Sequence, residues 1–238
     1  MKKIIKIIYL YFALFTVILI ALSGCKSESE DLNALYMSAV RDAAFADEDE
    51  VLPLVSLTAD DKMTTWDDSG RVLLCTWHSY PGSYPEGENV TVEWGPVWMF
   101  TDKEIASYKD ELKKCKDPEM RLKQLIGLPP DCDYTTFTGF WVSPDDVMRP
   151  AYQTDPESGE MSNVFKESVD EDFKDWFDGN IIASYFDEYY PWTRLGYTYD
   201  WADNNTEYGL TEFLVSDKAE ITVEFTDTTA EFIKRITE

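Results

Sequence analysis

The chain has 238 residues, long enough for one domain with a sizeable core, and 44% of them are hydrophobic. Acidic residues outnumber basic ones 46 to 21, and the formal net charge of −25 repels phosphate backbones and argues against a nucleic-acid partner. An aromatic content of 15%, with eight tryptophans, argues against a disordered chain in spite of that charge.

The N-terminus reads Met1-Lys2-Lys3-Ile4-Ile5-Lys6, followed by a nearly unbroken apolar run from Ile7 to Leu22. A basic flank, an apolar centre and small residues at the end make a secretory signal. The run is marginal for a membrane-spanning helix, which needs about 20 residues. Its ending, Leu22-Ser23-Gly24-Cys25, resembles the lipobox of bacterial lipoproteins. That resemblance implies a signal peptide over residues 1–24, cut before Cys25, and a diacylglycerol on the Cys25 thiol. The protein is then held to a membrane by lipid, several acyl chains anchoring stably where one does not. Lys26 stands where an aspartate would favour inner-membrane retention, and the acidic stretch Ser27–Asp31 resembles the surface-export signals of some bacterial lipoproteins. The expected location is the cell envelope, exposed outside the cytoplasm at the outer membrane or cell surface.

Leu32, Leu35, Tyr36, Ala39, Val40 and Ala43 recur at helical spacing. The acidic run Asp47–Glu50 is a solvated break, so residues 25–50 read as lipidated cysteine, tether and N-terminal helix, and residues 51–238 as one globular domain. Residues 71–78 form a β-rich run, and Asn89–Trp94 alternates with Val90, Val92 and Trp94 on one face. Thr101 and Glu104 make a capping box for a helix through Ile105, Tyr108, Leu112 and Cys115. A second helix starts at Asp117-Pro118 and stops at Gly127. Tyr134–Val142 is extended, and Ser168 with Glu171 caps a short helix ending at Gly179. Strands over 193–201, 209–215 and 219–225 and a closing helix from Thr228 complete the chain. Short connections between interspersed elements predict an α+β domain with a mainly antiparallel sheet and a C-terminal strand meander.

Three cysteines follow the anchor. Cys75 falls inside an apolar strand as a buried thiol. Cys115 and Cys132 flank one helix and are the expected disulfide, closing a loop of about 17 residues for about 3 kcal/mol.

His78 is the only histidine, which excludes multi-histidine metal sites within the chain, and no cofactor or metal is expected. Asp203–Glu207 has alternating oxygen ligands but lacks the glycine and terminal glutamate of a calcium loop, and reads as a polar hairpin turn. Trp77, His78, Tyr80 and Tyr84 surround a loop that contains Ser-Tyr-Pro twice and offers aromatic rings to a ligand. In an extended segment 190–201, Trp192, Arg194 and Asp200 share one face, a second candidate surface. No P-loop, nucleophile elbow, dinucleotide fingerprint or zinc motif occurs. The leading expectation is a non-catalytic binding lipoprotein for a carbohydrate or protein. The alternatives are an acidic captor or inhibitor of a cationic protein, and a glycan-acting hydrolase.

Overall fold

In a computed structural model, which describes residues 28–238 other than Trp94 and Glu167, the first apolar repeat becomes α1, Glu28–Asp42. Tyr36, Ala39 and Val40 are buried along it, as is Ala43 just beyond. The expected signal peptide over 1–24, the expected lipidation site Cys25, and Trp94 lie outside the described residues. Among the described residues no helix is long and apolar enough to cross a membrane.

Nine strands follow among the described residues: β1 (Val72–His78), β2 (Asn89–Thr91), β3 (Val97–Thr101), β4 (Thr136–Val142), β5 (Val147–Met148), β6 (Tyr197–Tyr199), β7 (Tyr208–Thr211), β8 (Phe213–Val215) and β9 (Glu220–Thr228). Seven of them build one antiparallel sheet in the order β2-β9-β4-β1-β3-β8-β5, while β6 and β7 pair separately. The remaining helices are α2 (Asp102–Ser107), α3 (Lys109–Leu112), α4 (Pro118–Ile126), α5 (Glu171–Ile182) and α6 (Thr229–Thr237). The domain from Leu35 to Glu238 is α+β and forms one compact unit.

Local chemistry sets the boundaries. The Thr101 hydroxyl accepts from the Glu104 N–H to start α2. Asp117 caps α4, Pro118 fills its first turn, and Gly127 ends it at φ 73°, the left-handed geometry that favours glycine. Thr228 and Glu231 form a reciprocal capping box at α6. The single helix expected from Thr101 to Cys115 is interrupted at Tyr108, where ψ is 4°.

Strand alternation separates two cores. Leu74, Met99, Phe140, Val142, Ile221 and Val223 point to one side of the large sheet. Cys75, Trp77, Phe100, Phe137 and Phe225 point to the other, under Ile105, Leu112, Leu122, Leu125 and Phe232 of the helices. A register shift opposite Gly139/Phe140 turns Val223 and Phe225, only two residues apart, to opposite faces. Gly139 makes room for this crossing, since a Cβ there would lie 2.3 Å from the Phe225 ring.

The structure differs from the sequence expectation in the C-terminal third. Arg194 at φ 63° and Gly196 at φ 92° break the strand expected over 193–201, leaving only Tyr197–Tyr199 in β6. Two separate faces are therefore not formed: Trp192, Arg194, Thr198 and Asp200 are buried just as Leu195, Tyr197 and Trp201 are. The strand expected over 209–215 is divided at Glu212, β7 joining the small sheet and β8 the large one. β8 and β9 follow one another in the chain but are not neighbours in the sheet. Asp170, not Ser168, caps α5, which runs past Gly179 into a π-helical turn, Ala183–Asp187. The expected disulfide is not formed: Cys115 and Cys132 are free thiols, the Cys115 thiol donating back along its helix to the Leu112 carbonyl at 3.2 Å.

Candidate binding cleft

β1 pairs with β4 along its whole length, from Val72↔Val142 to His78↔Thr136. It pairs with β3 only at Leu74↔Thr101 and Cys75↔Phe100. β3 in turn continues along β8, from Met99↔Phe213 to Val97↔Val215. Thr76–His78 and Val97–Met99 thus border an opening in the sheet where the two strands part. A cleft of about 870 Å³ lies there. Its lining comes from both sheet faces, His78, Tyr84 and Met99 from one and Trp77, Trp98 and Phe100 from the other.

One wall is the loop after β1. His78 is 8% exposed, its Nε2 lies 2.9 Å from the Thr138 hydroxyl, and its Nδ1 accepts from the Tyr80 N–H at 3.1 Å. Nδ1 as acceptor makes Nε2 the donor in the neutral ring. Burial lowers the His78 pKa to about 4, so the ring is uncharged at neutral pH. Tyr80 lies roughly parallel to it at 6.1 Å and Tyr84 meets its edge at 5.1 Å. Tyr80 is 64% exposed, a free phenol at the rim.

The opposite wall is built of indoles. Trp98, 36% exposed, lies 6.3 Å from Trp176 of α5 and 6.0 Å from Trp192. The Trp192 indole donates to the Pro150 carbonyl at 3.1 Å, which fixes its ring and leaves little of it open. Trp98 therefore presents the larger accessible face. Tyr134, Tyr190 and Ser184 also line the cleft.

Glu212 supplies an acid at the β7–β8 break. Its backbone N–H is held by the Gly196 carbonyl at 2.9 Å. Oε2 is inaccessible and takes no hydrogen bond. Burial raises the carboxyl pKa to about 8.

Of the residues singled out by sequence, Trp77, His78, Tyr80, Tyr84 and Trp192 come together at the cleft. The Trp77 ring is a core element, however, stacked on Phe137 at 4.7 Å and donating to Thr229 at 3.1 Å. Arg194 and Asp200 do not line the cleft. The Arg194 guanidinium donates to the Ala43 carbonyl and the Tyr152 hydroxyl, at 3.3 and 3.2 Å. Asp200 forms a bidentate pair with Arg121, at 2.9 and 2.6 Å. Both serve the fold, because the break at Arg194 and Gly196 takes them off a common face.

Trp98 and Glu212 are among the cleft residues that pattern reading missed. The signal for Trp98 was the apolar run Val97–Phe100 behind the Gly95-Pro96 turn. The signal for Glu212 was one acid interrupting Leu210-Thr211-Glu212-Phe213-Leu214. Elsewhere Asp42, Glu50 and Glu207 bring carboxylate oxygens within 4.8 Å of one another, with Tyr199 donating to Asp42 at 2.7 Å and Tyr197 to Glu207 at 3.2 Å.

These environments predict a pH response. Glu104 is also buried; its carboxyl accepts from the Thr211 N–H and hydroxyl at 2.9 and 3.0 Å, yet burial dominates and raises its pKa to about 7. A carboxyl whose pKa is higher folded than unfolded holds a proton that the unfolded chain releases. Stability therefore falls as pH rises from the unfolded value through the folded one. The neutral His78 acts in the opposite sense, costing stability as pH falls below its unfolded value toward about 4. The melting temperature is expected to drop between pH 6 and 9, and Glu212→Gln to flatten that drop. Calorimetry across this range checks it, and an unchanged slope in the variant counts against the assignment.

No protein-family model, curated protein or solved structure matches the chain.

Proposed function

We propose that this domain is a non-catalytic binding module of a lipid-anchored, exported lipoprotein, and that its ligand is a carbohydrate received in the cleft between β1 and β3. The observation that carries this is the pairing of an accessible indole, Trp98, with the exposed phenol of Tyr80 around an opening of about 870 Å³. Ligand sites combine aromatic and apolar walls with a few placed polar groups. Sugar rings present apolar C–H faces that stack on such rings, and hydroxyls that require partners. Glu212 and Ser184 also line the cleft and supply polar atoms. The lipobox Leu22–Cys25 supports the envelope location, with the cleft outside the cytoplasm.

A specific observation favours a second reading. Among the described residues Thr76–His78 and Val97–Met99 have no strand partners on the sides that border the cleft, and an extended peptide binds by adding to such edges.

A thermal-shift panel of glycans, extended peptides and cationic proteins against the purified chain separates these readings. A ligand that binds only the folded state must raise the melting temperature. Dose-dependent stabilisation by a glycan is the expected result. Stabilisation by peptides alone favours strand addition. A response to basic proteins alone, lost at high salt, favours capture through net charge. Turnover of a bound glycan, abolished by Glu212→Gln, would make the domain a hydrolase instead.

A further inference from the structure

Aromatic walls account for a neutral sugar, but not for an acid placed among them. We propose that the cleft recognises a positively charged amine on its ligand, that the ligand is an oligosaccharide of amino sugars with free amines, and that Glu212 is the group that pairs with the ammonium. This rests on the carbohydrate reading above and narrows its ligand class.

Four observations converge on it. The first is position. Glu212 is the residue at which the chain leaves the small sheet for the large one, and its N–H is tied to the Gly196 carbonyl. Its side chain is then free to line the cleft instead of a ladder.

The second is the lack of a counter-charge. Among the described residues no lysine or arginine lines the cleft, and none forms an ion pair with Glu212 within 4.0 Å. His78, the one other nitrogen base there, is neutral because burial lowers its pKa to about 4. Oε2 takes no hydrogen bond and is closed off as the side chain stands, an arrangement that costs free energy until the side chain turns to a donor in the cleft it lines. Burial accordingly holds the empty-handed carboxyl protonated, at a pKa of about 8, and an ammonium restores its charged form.

The third is the company it keeps. Trp98 offers an accessible indole π-face, and cations are drawn to such faces. The fourth is the field. The other acids of the lining, Glu93 and Glu188, are exposed at the rim, and the chain carries a net charge of −25. Both guide a cation toward the opening. An N-acetyl group in place of the ammonium would leave the carboxyl as it is, without a cation.

The test is isothermal titration of the purified full chain with two glycans of equal length. One is an oligomer of glucosamine with free amines, and the other is its fully N-acetylated counterpart. The free-amine oligomer is expected to bind at least tenfold more tightly. In Glu212→Gln, which keeps the shape of the side chain, the two are expected to bind alike, at the affinity of the acetylated form for the wild type. Equal binding of both glycans to the wild type overturns the ammonium assignment while leaving the carbohydrate reading intact. A free-amine preference that survives in a folded Glu212→Gln also overturns it, assigning the preference to diffuse surface charge. Binding of neither glycan overturns this assignment, and failure of the wider glycan panel overturns the carbohydrate reading with it. Where the variant fails to fold, the wild-type comparison is repeated at high salt: a preference that persists supports Glu212, and one that vanishes assigns it to screened surface charge and overturns the assignment.

Discussion

Asp200→Ala is expected to destabilise the domain by about 3–5 kcal/mol, the cost of stranding one partner of a buried ion pair. Asp200 is 1% exposed and Arg121 7%. Both guanidinium ends of Arg121 are used, bonding the two carboxylate oxygens at 2.9 and 2.6 Å. The same carboxylate accepts from the Ala202 N–H at 3.1 Å and the Asn204 amide at 3.0 Å, so it also shapes the turn after β6. Arg121 retains only Glu111, a surface carboxylate that cannot replace a buried one. The pair joins α4 to the segment that follows β6, and the loss is therefore felt by two parts of the core. Replacing both residues by apolar ones of similar volume is expected to cost less than Asp200→Ala alone, because no charge is left behind. Urea unfolding checks both. A loss below about 1 kcal/mol, the range of surface pairs, would show that the pair is solvated.

Gly209→Ala is expected to cost about 3 kcal/mol or more, at the upper end for overpacking a core. The reason is space, not backbone conformation. A Cβ at this position would lie 2.2 Å from the Thr198 hydroxyl and 2.4 Å from the carbonyls of both Leu125 and Thr198. Backbone oxygens cannot rotate aside as a flexible side chain can. Thr198 is itself fixed, donating to the Leu125 carbonyl at 2.7 Å and accepting from the Leu210 N–H at 2.7 Å. The added methyl would thus force apart the small sheet and α4. Gly82→Ala has open space around it and suffers only the conformational cost of a φ of 83°, so it is expected to be the milder of the two. Equal midpoints for Gly209→Ala and the wild type in denaturant would contradict the packing described.

The parts of the fold governed by neighbours in sequence were legible in it. Thr101 with Glu104, Asp117-Pro118 with Gly127, and Thr228 with Glu231 are local devices, and the helices begin and end on them. The β-rich run through Val72–His78 likewise yields a strand with both faces buried. Features set by tertiary contacts were not legible. Nothing in periodicity says that a non-glycine residue, Arg194, takes φ 63°. Its reward is a guanidinium placed between the Tyr152 and Tyr185 rings, 5.8 and 5.5 Å from their centres. Of the residues the sequence offered to a ligand, the loop aromatics Tyr80 and Tyr84 lie at the cleft, whereas Arg194 and Asp200 do not, because the backbone does not follow the alternation expected over 190–201. Trp98 and Glu212 became visible only once β1 and β3 were seen to part and β7 and β8 to join different sheets.

The most direct test of the cleft as the binding site is isothermal titration of a glycan that stabilises the wild type into Trp98→Ala and Tyr80→Ala. These remove the accessible ring from each wall, and both side chains are exposed enough for the fold to survive their loss. Each ring is expected to contribute about 1 kcal/mol or more, so affinity should fall about fivefold to tenfold in each variant and further in the double variant. Wild-type affinity in the folded double variant would contradict the account and place the ligand elsewhere on the domain.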